Sequence, residues 1–557
     1  MSALETEFRG AQMKRHKGRV DACIIGCGAA GSVLAKELAE AGWRVVVLEA
    51  GPWLDTDRDL RQDEVEMLGK FDWDDRRWVD GNEPFAQGHI RDGRGVGGGT
   101  LHYGAVALRL WPEDFERFTR DGVGRDWPIS YDELAPDYDR VERELRLSGP
   151  LEMPWGPRRD KYPQGPHPLT ARDMMIASGM DRRGMAWTNT PLGILQGGHE
   201  GRSPCMNYGY CQWGCKSRAK ASMHVTYVPK AVRAGAEIRD RARVTSIEAG
   251  ADGRIEAVIC QRAGREERIE ASVVILSAFC VENPRLLLHS ATPAFPDGLA
   301  NSSGMVGRGI MAHIADPMFG RFAEPVHMWS TSPGTLLSQH HYGTQAARTN
   351  GGRNGSNGHN GGNGGNGGAT GGRGTPSFAG GWSWMTSVLF PGEFGGALAK
   401  AAPSLWGERL TTLLGQYPYF AILGDEGECL WYEDNRVELT DEVDEFGIPR
   451  PKITFNFGEN ERAMRDEIHL RGREILAAAG AHEILIANGN DHTMGGCVMG
   501  DDPATSVVDR NLRAHDHDNL YICDASVFPS SGGAQPSQTI MALATRLARH
   551  LASGEAD

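Results

Sequence analysis

Near the start of the chain, apolar positions fall into two short continuous runs separated by a helical pattern. Ala22–Ile25 and Val45–Leu48 are β-branched and carry no charge, as expected for strands buried on both faces. Between them Ser32–Ala41 repeats its apolar positions at helical spacing, and Gly42 ends it. The pattern predicts strand, helix, strand. Further along it predicts a helix over Tyr227–Ala234 stopped by Gly235, strands over Ala236–Arg239 and Arg243–Ala249, and a buried strand over Val273–Ala278. Ser130 followed by Glu133 reads as a capping box, opening a helix that runs past a kink at Pro136 to Leu145. Tyr417–Glu428, Arg436–Leu439 and Arg450–Asn456 read as strands of an antiparallel sheet, and Ile540–Leu551 as a closing helix. No run reaches the ~18 apolar residues that a membrane span needs.

The first turn of this pattern carries chemistry. Gly26-Cys27-Gly28-Ala29-Ala30-Gly31 joins the first strand to the helix, with each glycine where a dinucleotide loop needs one. Gly26 makes the tight turn, Gly28 lets backbone approach a pyrophosphate, and Gly31 lets helix pack on strand. The first turn of the helix, with Ala29 and Ala30, offers unpaired N–H groups to phosphate. Glu49 ends the second strand, where a carboxylate accepts hydrogen bonds from a ribose diol. The unit binds a dinucleotide, and by itself leaves FAD and NAD open. A second glycine run, Gly93–Gly104, includes Gly97, Gly98, Thr100 and His102 and permits close backbone approach to a flat ring or a phosphate.

Composition narrows the class. A chain of 557 residues has room for two or three domains, and 40% hydrophobic with 24% charged residues describes an ordinary globular protein. A net charge of −14 with no Lys/Arg cluster argues against a nucleic-acid partner. The N-terminal segment has no apolar stretch or twin arginine, and the ten cysteines are scattered, which suits reduced thiols in the cytoplasm. Export with a partner subunit stays open. Asn350–Gly374 is Asn/Gly-rich, cannot bury a core and is expected to be a disordered surface loop.

The two glycine motifs with Glu49 resemble those of the glucose–methanol–choline (GMC) family of flavin oxidoreductases. The likeness spans nearly the whole chain, strongly at both termini and loosely between. It implies an α/β fold, with a Rossmann-type doubly wound FAD domain interleaved with an α+β substrate domain that contains an antiparallel sheet. Residues 18–125, 220–310 and 491–557 are assigned to FAD binding, and 126–219 and 311–490 to substrate. His102 aligns with the residue that carries a covalent flavin bond in several members, and Val244 with a backbone contact to the adenine half. Phe279 stands where the family has a glycine.

Cys205, Cys211 and Cys215 lie within eleven residues, among glycines and aromatics. Three thiols suit a three-iron cluster, and equally a tight loop packed on small side chains. Their spacing is similar to the cluster segment of family members acting on glucose, fructose and related sugars, which implies a 3Fe–4S cluster and a small or cytochrome subunit receiving electrons.

The C-terminal region carries the catalytic expectation. Oxidising an alcohol through a flavin needs a base for the hydroxyl proton and alignment of the C–H bond with flavin N5, and a histidine suits the first task near neutral pH. His492-x-x-Gly495-Gly496-Cys497-x-Met499-Gly500 resembles the family's catalytic-histidine segment. Asp524 and Ala525 then match flavin-contacting positions. Gln535 falls where the family has a second catalytic Asn or His, followed by Pro536. An amide can hydrogen-bond substrate oxygen but cannot act as a base, so the proton falls to His492. The expected reaction is FAD-dependent oxidation of an alcohol on a sugar, polyol or sugar acid, with a quinone or cytochrome as acceptor. An oxidase using O2 on a sugar or sterol, an inert flavin-binding protein and a NAD enzyme are the alternatives.

Overall fold

The computed structural model describes residues 15–554 apart from 68–69, 71–76, 84–92, 158–159, 330 and 343–377. The Asn/Gly-rich stretch 350–374 lies outside the described residues. The opening pattern forms the expected unit. Strand β1 (Val20–Ile25) leads through the glycine loop into helix α1 (Ala29–Glu40), and strand β2 (Val45–Leu48) returns beside β1 in parallel. Every residue of β2 is at most 1% exposed. Burying each such side chain is worth roughly 1.5–3 kcal/mol, which fits a strand covered on both faces. A Cβ at Gly31 would come within 2.0 Å of the Gly26 carbonyl oxygen, so α1 can close on the loop only because that residue is glycine.

β1 and β2 belong to a five-stranded sheet that is parallel throughout. Its order runs Leu520–Ile522, Ala271–Leu276, β1, β2, Glu237–Arg239. Segments some 500 residues apart thus share one sheet. Helix Tyr227–Ala234 packs on α1, and Gly235 ends it at φ +105° as its C-terminal position requires. The predicted capping box at Ser130 and Glu133 forms, and the helix Tyr131–Leu145 contains Pro136.

The second large sheet is antiparallel and has eight strands. Three of them build the site: β3 (Met311–Ile314), β4 (Phe420–Gly427) and β5 (Asn490–Met494). Ile314 of β3 is opposite Gly427 of β4 and also Asn490 of β5, so the short β3 holds the other two in register. Arg436–Val443 and Pro449–Thr454 form a hairpin in a separate three-stranded sheet. Helix α2 (Ser537–Ser553) closes the chain against α1. Among the described residues no helix is long and apolar enough to cross a membrane.

Candidate active site

The dinucleotide loop and the second glycine run, the expected flavin loop, meet backbone to backbone. A Cβ on Gly98 would lie 2.6 Å from Gly28 Cα, and Gly97 N donates to Cys27 O at 2.9 Å. A Cβ on Gly28 would meet nothing nearer than Gly98 Cα at 3.8 Å, and no side chain caps α1. That bare backbone at a helix N-terminus is what a pyrophosphate requires, so these residues fit a dinucleotide. Glu49 is buried, and its carboxylate accepts from Cys27 N, Gly51 N and Gly95 N, which ties the tip of β2 to both loops. Oε1 takes the Gly51 and Gly95 amides, and Oε2, with Cys27 alone among these, keeps a further lone pair for a ribose hydroxyl.

Thr100 is buried in a short turn, where its Oγ1 donates to Gly97 O and accepts from Met223 N. His102 follows that turn, partly buried, its N–H donating to Gly99 O. Val244 lies buried in strand Ala242–Ala249, opposite Cys260.

Phe279 has φ +86°, a backbone region that favours glycine. A phenylalanine there is strained, and the Phe279 N–H is held by Asp524 Oδ2 at 2.8 Å. Asp524 also accepts from Asn283 Nδ2 and Ser526 N, and burial holds its carboxyl above the usual range. Ala525 O accepts from Gly495 N, which joins the segment after His492 to the turn at Asp524. Pro536 precedes the first turn of α2.

His492 sits on β5 at φ +57°, partly buried. Its Nδ1 is 3.0 Å from Glu426 Oε2 on β4 and 3.1 Å from His313 Nδ1 on β3. His313 is fully buried, and its Nε2 is 2.8 Å from the Gly532 carbonyl oxygen. A carbonyl can only accept, so His313 Nε2 carries a proton and a neutral ring presents a bare Nδ1. His492 Nδ1–H then points to Glu426, leaving Nε2 as the basic nitrogen. Burial alone would lower the His492 pKa, but the Glu426 charge outweighs it and raises the value to about 9. Glu426 is buried too, yet the positive charge of His492 beside it holds its carboxyl down at about 2.

Gln535 lies three residues beyond Gly532. Its Nε2 reaches Met385 Sδ at 3.5 Å, and its Oε1 is buried and accepts from no described residue. The loop bearing it is anchored twice more: Ser383 Oγ donates to Gly533 O, and Gly533 N donates to Tyr342 Oη. Ser383 pairs with Glu426 across β4. One sheet therefore links both catalytic candidates.

His313 and Glu426 escaped the sequence reading. For Glu426 a signal existed: Asp425 and Glu426 are adjacent acids just past the apolar run Phe420–Leu423, where a buried unpaired charge is costly. His313 carried no comparable mark.

Cys205, Cys211 and Cys215 come to one small apolar cluster with Ala105 and Leu195. Cys205 Sγ accepts from Asn207 N and Cys215 Sγ from Lys220 N, both at 3.4 Å. Two of the three thiols thus receive a backbone N–H, and three sulfurs on one short loop are the donor type that an iron cluster takes. Burial pushes the Cys211 thiol well up, with Cys215 adding to the rise. Lys220 is fully buried, donates to Leu101 O, Tyr103 O and Cys211 O, and is lowered by burial to about 8. It bolts the cysteine loop to the flavin loop.

Models of the GMC oxidoreductase family match residues 20–315 and 432–544. The chain belongs to that family. As a GMC oxidoreductase it is a flavoprotein acting on CH–OH donors. It is 29% identical to 6'''-hydroxyparomomycin C oxidase of Streptomyces lividus, over 96% of this chain and 91% of the relative. It is also 29% identical to the fructose dehydrogenase large subunit of Gluconobacter japonicus, over 95% and 97%. For 2-methyl-1,2-propanediol dehydrogenase of Mycolicibacterium austroafricanum the identity is 28%, over 95% and 94%. Pyridoxine 4-oxidase of Mesorbium loti shares the fold at a TM-score of 0.64 and 18% identity, over 96% of this chain and 100% of that one.

Proposed function

We propose that this GMC oxidoreductase removes two electrons and two protons from an alcohol carbon of a polyhydroxylated substrate, with His492 as the base. The observation that carries the reading is the hold on His492 Nδ1 by Glu426, which leaves Nε2 to face a hydroxyl. When FAD is bound, its N5 supplies the hydride acceptor. Gly26, Gly28, Gly31 and Glu49 would hold its dinucleotide half, and Gly97, Gly98, Thr100 and His102 would serve its ring.

The chain's own residues divide the remaining work. His492 Nε2 takes the hydroxyl proton. Glu426 stabilises the imidazolium that results, at the cost of a raised pKa that keeps most of His492 protonated at neutral pH. His313 keeps the Glu426–His492 pair in place by its own bond to Gly532. Gln535 orients the substrate, because its buried Oε1 can accept from a hydroxyl beside the one being oxidised.

The substrate class is a sugar, amino sugar or small polyol, which is supported by the names of the relatives at 28–29% identity. Cys205, Cys211 and Cys215 are assigned to a three-iron cluster, which when present relays electrons outward to a quinone or cytochrome. Lys220 supports that assignment by joining their loop to the flavin loop. The division into FAD-binding segments 18–125, 220–310 and 491–557, with substrate segments between, belongs to the same reading.

The test is anaerobic mixing of the purified protein with fructose, amino sugars and polyols, following flavin bleaching, with iron and sulfide assayed on the same sample. Bleaching by at least one of these, lost in His492→Ala, is the expected result. Flavin that stays oxidised with every alcohol tried overturns the reading, and flavin without iron overturns the cluster.

A further inference from the structure

We propose that His313, Glu426 and His492 form a binding site for one divalent cation of the zinc type, and that its occupancy switches the enzyme off. The site rests on geometry alone, whereas the inhibition rests on the role given to His492 above.

Three donor atoms from three strands converge. His492 Nδ1 is 3.0 Å from Glu426 Oε2 and 3.1 Å from His313 Nδ1, and His313 Nδ1 is 3.5 Å from Glu426 Oε2. Ligand atoms around tetrahedral zinc, at bonds of ~2.0–2.1 Å, stand about 3.3 Å apart. The triangle already has that size. A cation at those bond lengths would sit just off its plane. Two imidazole nitrogens and a carboxylate are a known zinc ligand set with the fourth position open to water.

The outer shell is also built. His313 Nε2–H donates to Gly532 O, which fixes its ring and leaves Nδ1 bare, as metal-binding histidines require. Glu426 is 9% exposed and His313 is 0% exposed, while the His492 side chain is 26% exposed, so the cation would be shielded on two sides and reached past His492. Among the described residues, no other group of three His, Cys, Asp or Glu residues brings its ligand atoms within 4.8 Å of one another.

Inhibition follows from valence. A cation on His492 Nδ1 uses the lone pair there, and the proton that sat on Nδ1 leaves to solvent. The neutral ring then carries its hydrogen on Nε2. That nitrogen has no lone pair left for a hydroxyl proton. No electron moves, and chelation reverses the change.

The experiment uses FAD-loaded protein freed of metal with EDTA, then equilibrated with Zn2+ by dialysis and analysed for bound metal. One zinc per chain is expected, removed by fresh EDTA, with substrate-dependent flavin reduction falling in step. Glu426→Gln and His313→Gln should each weaken binding by at least the ~10–100-fold that loss of an outer-shell partner causes. Retained FAD checks that each variant is folded. Should either unfold, Co2+ added to the wild type should give intense ligand-field bands beyond the flavin absorption. Absence of zinc uptake at micromolar free metal, equal binding by folded variants, or absent Co2+ bands overturns the site. Stoichiometric binding with undiminished flavin reduction upholds the site and overturns His492 as the base.

Discussion

Glu426 Oε2 lies 3.0 Å from His492 Nδ1, although 66 residues separate them. They meet because β4 and β5 both pair with the short strand β3, which adds His313 to the same spot. The consequence is a histidine whose tautomer is set by a buried carboxylate and whose charge is held by it.

Replacing His492 with Ala should lower kcat by ~10²–10⁴-fold, the usual contribution of a positioned base. FAD content should stay unchanged, because the side chain is bonded to Glu426 and His313 rather than to either glycine loop. Rapid-mixing measurement of flavin reduction checks this, and an unchanged rate would remove His492 from the chemistry.

Because only neutral His492 accepts a proton, kcat/KM should rise with pH toward a plateau above about 9. Glu426→Gln removes the charge that raises the pKa while burial still lowers it, so the limb should move to lower pH. The plateau should drop as well, since the ring loses its carboxylate partner. A pH profile that does not shift in Glu426→Gln would mean that another group titrates.

The same pair ties stability to pH in a defined window. Glu426 is lowered from 4.5 to about 2, so its contribution is present above 4.5 and fades as pH falls toward 2. His492 is raised from 6.5 to about 9, so its contribution is full below 6.5 and fades as pH rises through 9. The Tm difference between wild type and Glu426→Gln should therefore peak between pH 4.5 and 6.5 and shrink on both sides. A flat difference across that range would count against the ion pair.

Gln535→Ala should cost about 10²–10³-fold in kcat/KM, comparable to losing one oriented polar group beside the reacting centre, with FAD content unchanged. Gln535→Asn should recover part of the loss, being one methylene short. Equal activity of all three proteins would place Gln535 outside the substrate contact.

Gly98→Ala should abolish FAD retention. The added methyl would stand 2.6 Å from Gly28 Cα, so the two loops must part. The flavin-to-protein absorbance ratio after gel filtration reads the effect, and a ratio like that of wild type would refute the close packing.

What could be read directly from the chain was local. β1, α1 and β2 follow from a continuous apolar run, a helical period and glycines at fixed offsets, all within thirty-odd residues. The helix Tyr227–Ala234 and the capping box at Ser130 were legible for the same reason, since neighbours in sequence supply the whole signal. His492, Gln535 and the three cysteines stood out through the residues beside them. Tertiary structure decided the rest. His313 and Glu426 become functional candidates only when an antiparallel sheet sets three strands side by side, because each donates a single atom and local sequence carries no record of the other two. The sheet that holds the dinucleotide loop likewise depends on Leu520–Ile522 pairing with Ala271–Leu276, a contact between segments whose strand patterns say that they are buried but not against what. Periodicity is a property of one segment and its burial. Register and convergence are properties of several segments at once, and they are settled only when all of them pack.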